Sequence, residues 1–436
     1  MVRPIFESLR EFIASDGLCC VVKAPPGSGK SYSLLESLED AISKDRRIAI
    51  AAQTNNQVDD LCKNFCKRYP GQPIFRFSSK TFSPSDELPS GVIVITDKDE
   101  IPSEGVVMIG TVAKLGLTNF PQSYDVLLID EAWQMTWADF LTLRDLSSRF
   151  ILIGDPGQIP PTVTINVDRW EVSPDAPHTP TPDVILENPD LAPDVTILNL
   201  EICRRLPVDT VSLIQTFYDF KFEPLAKPGE RFVRATKKSN GTSVDLAIDQ
   251  IETSSTVILA HPTGDDGAPI ETDREIAEVA AKIVQRLLQR ECLISTDAKE
   301  QNKPRKLQPV DIGIVSTHNQ MNTAIQNALP SGTSDIRVTT PERWQGLERP
   351  IMIAIHPLSG VMFPSSFDLE TGRLCVMASR HQSACIFVTR DHVGETLDTH
   401  IPIADQALGR ADIVGRGHQQ HTEFWKYHLD RNLIVQ

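Results

Sequence analysis

The sequence predicts an α/β protein made of two tandem parallel-sheet domains, and three observations point to it. Apolar segments of four or five residues recur along both halves of the chain, at Ile48–Ala52, Val126–Ile129, Phe150–Ile153, Val257–Ala260, Ile312–Val315, Ile351–Ile355 and Cys385–Val388. Continuous apolar strands, as opposed to alternating ones, belong in a sheet covered on both faces. Stretches of helical periodicity lie between them. Leu34, Leu38, Ala41 and Ile42 share one face over Ser31–Lys44, and Ile276, Val279, Ala280, Ile283, Val284 and Leu287 form a stripe over Thr272–Arg290. The length, 436 residues, exceeds one ordinary core and suits two or three domains.

The boundaries expected from these patterns are 1–196 for the first domain, 197–390 for the second and 391–436 for a C-terminal tail, where the alternation weakens. Pro174, Pro177, Pro180, Pro182, Pro189 and Pro193 crowd the stretch Ser173–Asp194 among acidic residues. It reads as a surface insertion leading into the domain connection.

Composition narrows the classes. Hydrophobic residues make up 40% and charged residues 23% of the chain, as in ordinary globular proteins. No apolar run is long enough to span a bilayer. The opening Met-Val-Arg-Pro-Ile-Phe-Glu has no basic segment followed by an apolar one, so a cytoplasmic protein without a signal peptide is expected. Of the eight cysteines only Cys62 and Cys66 have ligand-like spacing, and no second close pair answers them; reduced thiols are expected. A net charge of −15 argues against tight, non-specific binding to duplex nucleic acid, which needs a broad basic footprint.

The sharpest local signal is Ala24-Pro25-Pro26-Gly27-Ser28-Gly29-Lys30-Ser31, which follows a strand ending at Val21–Lys23 and opens a helix. That is the setting of a phosphate-binding loop. Gly27 and Gly29 let the backbone close around phosphate oxygens, and the N–H groups and helix dipole supply the positive end. Lys30 is expected on the outer phosphates and Ser31 on magnesium. Ala24 replaces the first glycine of the strict pattern. About a hundred residues later, Val126-Leu-Leu-Ile-Asp130-Glu131 brings two carboxylates to the end of a buried strand. Asp130 suits the magnesium shell, and Glu131 suits a group that orients or deprotonates an attacking water.

With Asp130-Glu-Ala-Trp-Gln134 and Gly154-Asp-Pro-Gly-Gln-Ile-Pro-Pro161 in place, the chain resembles the superfamily 1 helicases. The second pattern is most similar to the 5′→3′ branch that includes the nonsense-mediated-decay RNA helicase. Further segments resemble the later motifs in order: Gln53–Asp59, Ile109–Thr111, Cys203–Pro207, Val338–Glu348 and Cys375–Arg380. The resemblance covers Ala24 to Arg380. It implies two RecA-like domains, ATP and magnesium as nucleotide and metal, and single-stranded DNA or RNA as the track. It places Gln158 as a γ-phosphate sensor, Arg204 and Arg380 as arginine fingers from the second domain, and Gly346 and Glu348 among the nucleotide-binding residues. It also implies nucleic-acid contacts at Thr54, Asn55, Thr111 and Thr339, whose amide and hydroxyl groups bond phosphates without added charge. Arg205 competes with Arg204 for the finger. Trp344 reads equally as a base-stacking platform or as packing. The run Lys227, Arg231, Arg234, Lys237, Lys238 reads as a solvated loop ahead of a backbone contact.

Departures accompany the match. No glutamine precedes the phosphate loop, Cys203 stands where relatives place a base-stacking tyrosine, and Gln382 stands where they often place a second basic residue. Too few residues separate Asp59 from Gly110 for a large accessory domain. Three functions stay open: a helicase or translocase, an NTPase subunit acting with a partner such as a nuclease, and a nucleotide switch that no longer grips nucleic acid.

Overall fold

The computed structural model describes residues 4–84, 87–164, 166–170, 173–264, 271–403 and 413–436. By its contacts the chain divides into two compact units, Met1–Pro156 with Pro160–Glu201, and Gly157–Ile159 with Ile202–Gln436.

The first unit holds a sheet of strands β1 (Cys19–Lys23), β2 (Ile48–Ala52), β3 (Ile74–Phe77), β4 (Val92–Ile95), β5 (Val107–Thr111), β6 (Val126–Ile129), β7 (Phe150–Gly154) and β8 (Val195–Asn199). Their order is β4-β3-β5-β2-β6-β7-β1-β8 and every pairing is parallel. β2 and β6 are buried at every residue, as expected of strands packed on both faces. The single helix expected over Ser31–Lys44 is two, α1 (Lys30–Glu36) and a short five-residue helix at Glu39–Ser43. Ser37 turns its hydroxyl back to the Leu34 carbonyl at 2.7 Å, and Leu38 N–H bonds Leu35, so the ladder tightens and bends there. Helix α2 (Asn55–Arg68) follows β2 and is opened by a capping box between Thr54 and Gln57. On β3, Arg76 is fully buried and paired with Asp59 of α2 at 2.6 Å, with its guanidinium 3.5 Å from the Phe82 ring centroid.

The Pro-rich stretch expected as a surface insertion is in part built into this unit. Thr181–Glu187 is a helix, with Pro182 in its first turn and Val184 and Ile185 buried. Proline lacks the N–H that a first helical turn leaves unpaired, so prolines here start a helix. Asp183 accepts from the Trp133 indole at 2.8 Å, and Thr181 N–H bonds the Met135 carbonyl. β8 then adds an edge strand beside β1.

The second unit is arranged around strands β9 (Thr256–His261), β10 (Ile312–Val315), β11 (Arg337–Thr339), β12 (Arg349–Ile355), β13 (His381–Arg390) and β14 (Ile434–Val435), in the order β11-β10-β12-β13-β9-β14, again all parallel. Helix α3 (Arg274–Gln289) buries the predicted stripe through Ile276, Ala280, Ile283, Val284 and Leu287. Helix α4 (Asn319–Ala328) follows β10, and α5 (Thr371–Ala378) precedes β13. Among the described residues, no helix is long and apolar enough to cross a membrane.

Residues 413–436, expected as part of a tail, form helix α6 (Ile413–Leu429) and the edge strand β14. Val414, Gly417, His421, Phe424 and His428 face inward at helical spacing. The His421 ring lies 5.4 Å from that of His356, which follows β12. Burial depresses these imidazoles: His421 to about 3, His428 to about 4, and His356 well below its usual value, helped by His421 and His428. Neutral burial costs nothing above the unfolded pKa of about 6.5 and is penalised below it, because only the unfolded chain takes up the protons. Stability of this unit is therefore expected to fall as pH drops from about 6.5 to 5, above the usual carboxylate range, by up to about 1.4 kcal/mol per pH unit for each histidine. Urea midpoints at the two ends of that window test this; equal midpoints would mean the rings are charged or hydrated when folded.

Candidate active site

The strand order of the first unit puts β6, β7 and β1 side by side, and each carries a different part of the site past its C-terminal end. In open parallel sheets this edge is where ligands bind. From β1 the chain enters Ala24–Gly29. The Ala24 methyl is fully buried and its N–H bonds the Gly154 carbonyl of β7 at 2.9 Å, so the residue replacing the usual glycine serves as core. Gly27 and Gly29 have φ of 66° and 88°. A side chain at either position would be strained, and such turns make successive backbone N–H groups concave toward an anion. The Ser28 hydroxyl is buried inside the loop without a hydrogen-bond partner among the described residues. Lys30 and Ser31 are the first residues of α1.

Past β6, Asp130 is buried and Glu131 adopts a left-handed backbone, φ 54° and ψ 45°. This conformation is uncommon for a side chain this long and marks strain held by its surroundings. It is held here: Glu131 N–H bonds the Asp130 carboxylate at 3.0 Å, and its own carboxylate meets Lys30 Nζ at 3.2 Å. Ser31 Oγ donates to Asp130 Oδ2 at 3.0 Å. Burial, and then the neighbouring Glu131 charge, push the Asp130 carboxyl up to about 6, against the lowering influence of Lys30 and Ser31. The pair Ser31–Asp130 fits a hard divalent cation: an aliphatic hydroxyl and a carboxylate in contact, backed by a second carboxylate that a dication would stabilise. Past β7, Gly154 has no room for a side chain, since a Cβ would come within 2.9 Å of the Ala132 nitrogen and the Trp133 ring. Asp155 beyond it is buried.

Gln158 groups by its contacts with the second unit. It is buried, and a Cβ on Gly372 would lie 2.6 Å from its carbonyl, so α5 begins directly against this peptide. Within the second unit Glu348 and Arg380 meet Arg205 and Gln382 around the start of β12. Glu348 bonds the Arg205 guanidinium and accepts from Gln382 Nε2 at 2.7 Å. Burial raises the Glu348 carboxyl, but Arg205, Gln382 and Arg380 outweigh it and hold it below its ordinary value. Arg205 also donates to the Ser379 carbonyl at 3.2 Å. Arg380 is buried, and Gly346 takes φ 77° in an exposed turn.

Arg205, which the sequence treats as the competitor, thus joins this cluster, while Arg204 is exposed and lends its carbonyl to Arg231. The run holding Arg231 is only partly a solvated loop: Arg231 is tied to the Arg204 and Arg205 carbonyls, and Phe232–Arg234 is a strand. Cys203 is fully buried in the core and presents no face to a base. Trp344 resolves toward packing, being fully buried with Nε1 donating to the Ile314 carbonyl at 3.0 Å.

The candidate nucleic-acid residues are divided. Thr54 and Thr111 lie after β2 and at the end of β5 and accept from Gln57 N–H and Lys114 N–H as helix caps. Asn55 accepts from buried Arg76 at 3.0 Å. Thr339 ends β11 in the second unit and is buried. Sequence reasoning missed Arg76 and Asp59, because a lone arginine in an apolar strand has no local partner to reveal it.

Three solved helicase structures are similar to this chain. The structure described as PRRSV helicase shares 14% identity at a TM-score of 0.44, over 88% of this chain and 55% of that one. The crystal structure of arterivirus nonstructural protein 10 (helicase) shares 12% at 0.45, over 91% and 64%, and its complex with DNA shares 13% at 0.45, over 90% and 64%. The chain thus spans between 55% and 64% of the length of these proteins. None of the curated proteins matches it. Residues 95–165, the stretch that carries Thr111, Asp130, Glu131 and the Gly154–Pro161 turn, match the family described as AAA domain.

Proposed function

We propose that the chain is a nucleic-acid motor of superfamily 1 type that hydrolyses ATP while moving on single-stranded DNA or RNA. The observation that carries this is the first unit's sheet edge, where Lys30–Glu131 at 3.2 Å and Ser31–Asp130 at 3.0 Å join the phosphate loop to the acidic strand end. The ordered motifs through Arg380 and the AAA-domain match over 95–165 support it. Polarity of 5′→3′, kinship with the nonsense-mediated-decay branch and a cytoplasmic location rest on sequence alone.

Magnesium, held by Ser31 and Asp130, would neutralise charge on the outer phosphates. Lys30 exchanges Glu131 for phosphate oxygens when nucleotide enters. The freed Glu131 carboxylate then accepts a proton from the attacking water. The motif resemblance assigns Gln158 to orienting that water and Arg380 to stabilising the charge on the transferring phosphoryl.

The test is hydrolysis with and without single-stranded DNA and RNA. Stimulation by either supports a motor; unstimulated turnover leaves only a nucleotide switch. A strand-displacement assay then separates a helicase from a subunit that needs a partner such as a nuclease, a reading the short span between Asp59 and Gly110 and the acidic charge favour. Glu131→Gln is expected to keep nucleotide and magnesium binding but slow turnover by about 10²- to 10⁴-fold, the usual share of a positioned general base. Loss of binding in that variant would make Glu131 a structural residue.

A further inference from the structure

We propose that the loop between β12 and α5, together with the start of α4, is a base-stacking platform for single-stranded nucleic acid, with Phe363 and Phe367 as its rings. This rests on the motor reading above and names a binding surface that the helicase-like segments do not include. Val315, Thr339 and Ile355 end β10, β11 and β12, neighbours in the second unit's sheet, so the segments that leave these strands lie along one edge. β11 ends on candidate contact Thr339, β10 is followed by Thr317 and His318, and β12 by the loop 356–370.

That loop is anchored. Leu358, Val361, Pro364 and Leu369 are buried, and Ser365 and Asp368 bond each other at 2.6 Å. Yet it holds Phe363 at 90% exposure, with Met362 and Phe367 also exposed. An ordered loop that buries its aliphatic residues and turns out its phenylalanines leaves aromatic faces for something else to cover. Phe367 is already half of a stack: its ring lies 5.7 Å from that of His318 at 36°, and the Arg373 guanidinium sits 4.0 Å from its centroid. Arg373 is oriented by Glu342 at 3.0 Å and donates to the Phe367 carbonyl, which fixes the ring.

Bases are the occupant this chemistry favours. Phe367, the His318 ring and the Arg373 guanidinium bring aromatic faces and a cation together, the combination on which single-stranded bases stack. Stacking is also indifferent to sequence, as a moving protein requires.

The full chain is titrated, by fluorescence anisotropy, against a labelled oligothymidylate, an oligouridylate and an abasic strand of equal length. Wild-type protein is expected to prefer the base-bearing strands. Phe363→Ala should weaken their binding by roughly 5- to 150-fold, leave abasic binding and the salt dependence unchanged, and be rescued by Phe363→Trp. Its thermal midpoint should not move, because so exposed a ring contributes little to the fold. Equal affinity in the variant, an equal loss on abasic strand, or full function in Phe363→Leu would overturn the platform, the last by pointing to an apolar protein contact. Wild-type protein that binds none of the strands would overturn the motor reading itself.

Discussion

Replacing Lys30 with alanine is expected to remove nucleotide hydrolysis, by more than about a hundredfold, while the chain stays folded. Lys30 is the first residue of α1, where its ammonium pairs with Glu131 and lies outside the apolar clusters of the first unit, so no hydrophobic packing depends on it. The variant loses a positive charge placed where negative charge develops, and removing one such group costs about 10²- to 10³-fold. It also leaves Glu131 without its partner at 3.2 Å, beside an Asp130 carboxyl already raised by burial and by that same charge. Two carboxylates and no cation at the phosphate loop should weaken nucleotide binding as well. Steady-state turnover and equilibrium binding of a fluorescent nucleotide, measured on the same preparation, separate the two losses. Wild-type turnover in the variant would remove the phosphate-loop assignment.

The second large effect is expected at Arg380. Arg380→Ala should slow hydrolysis by about a thousandfold, the scale of an arginine finger, with nucleotide affinity largely retained. Because Arg380 is buried beside the Glu348 cluster, Arg380→Lys serves as a control that keeps a charge and most of the packing. A finger needs the planar fork, so lysine should not restore turnover; a structural cation would be replaced by it. The two neighbouring arginines should then differ. Arg205→Ala breaks the pair with Glu348 and should lower the thermal midpoint, whereas Arg204→Ala, exposed, should leave stability unchanged. If only Arg204→Ala slows turnover at unchanged stability, Arg204 acts in hydrolysis and Arg205 holds Glu348 in place.

Much of the fold was legible locally because its strands are continuous apolar runs and its helix α3 carries a full apolar stripe. Ala49, Leu127 and Ile153 are buried whichever face they occupy, so their segments announce themselves without knowledge of neighbours. The strand–loop–helix setting of Ala24–Ser31 was legible for a related reason: its pattern lies in eight consecutive residues and needs only a strand before it and a helix after.

Other elements carry no such signature. The inward stripe of α6 is Val414, Gly417, His421, Phe424 and His428, three of which are not hydrophobic by composition. Gly417 is there because a Cβ would meet the Leu369 carbonyl at 2.2 Å, and the histidines are buried neutral against His356, just past β12, and Phe387 of β13, both remote in sequence. Helix Thr181–Glu187 was hidden by prolines that in isolation mark a loop and, docked beneath Trp133, begin a helix.

The sequence by itself determined the parallel α/β class, the glycine loop between strand and helix at Ala24–Ser31 and the carboxylate pair Asp130–Glu131 at a strand end, since short-range pattern suffices for each. Only the tertiary structure decided that Trp344 is core, that Arg205 and not Arg204 holds Glu348, that Arg76 is paired with Asp59, and that Phe363 and Phe367 share an edge with Thr339. Those outcomes depend on which strands are neighbours, and strand order is set by contacts between residues far apart in the chain.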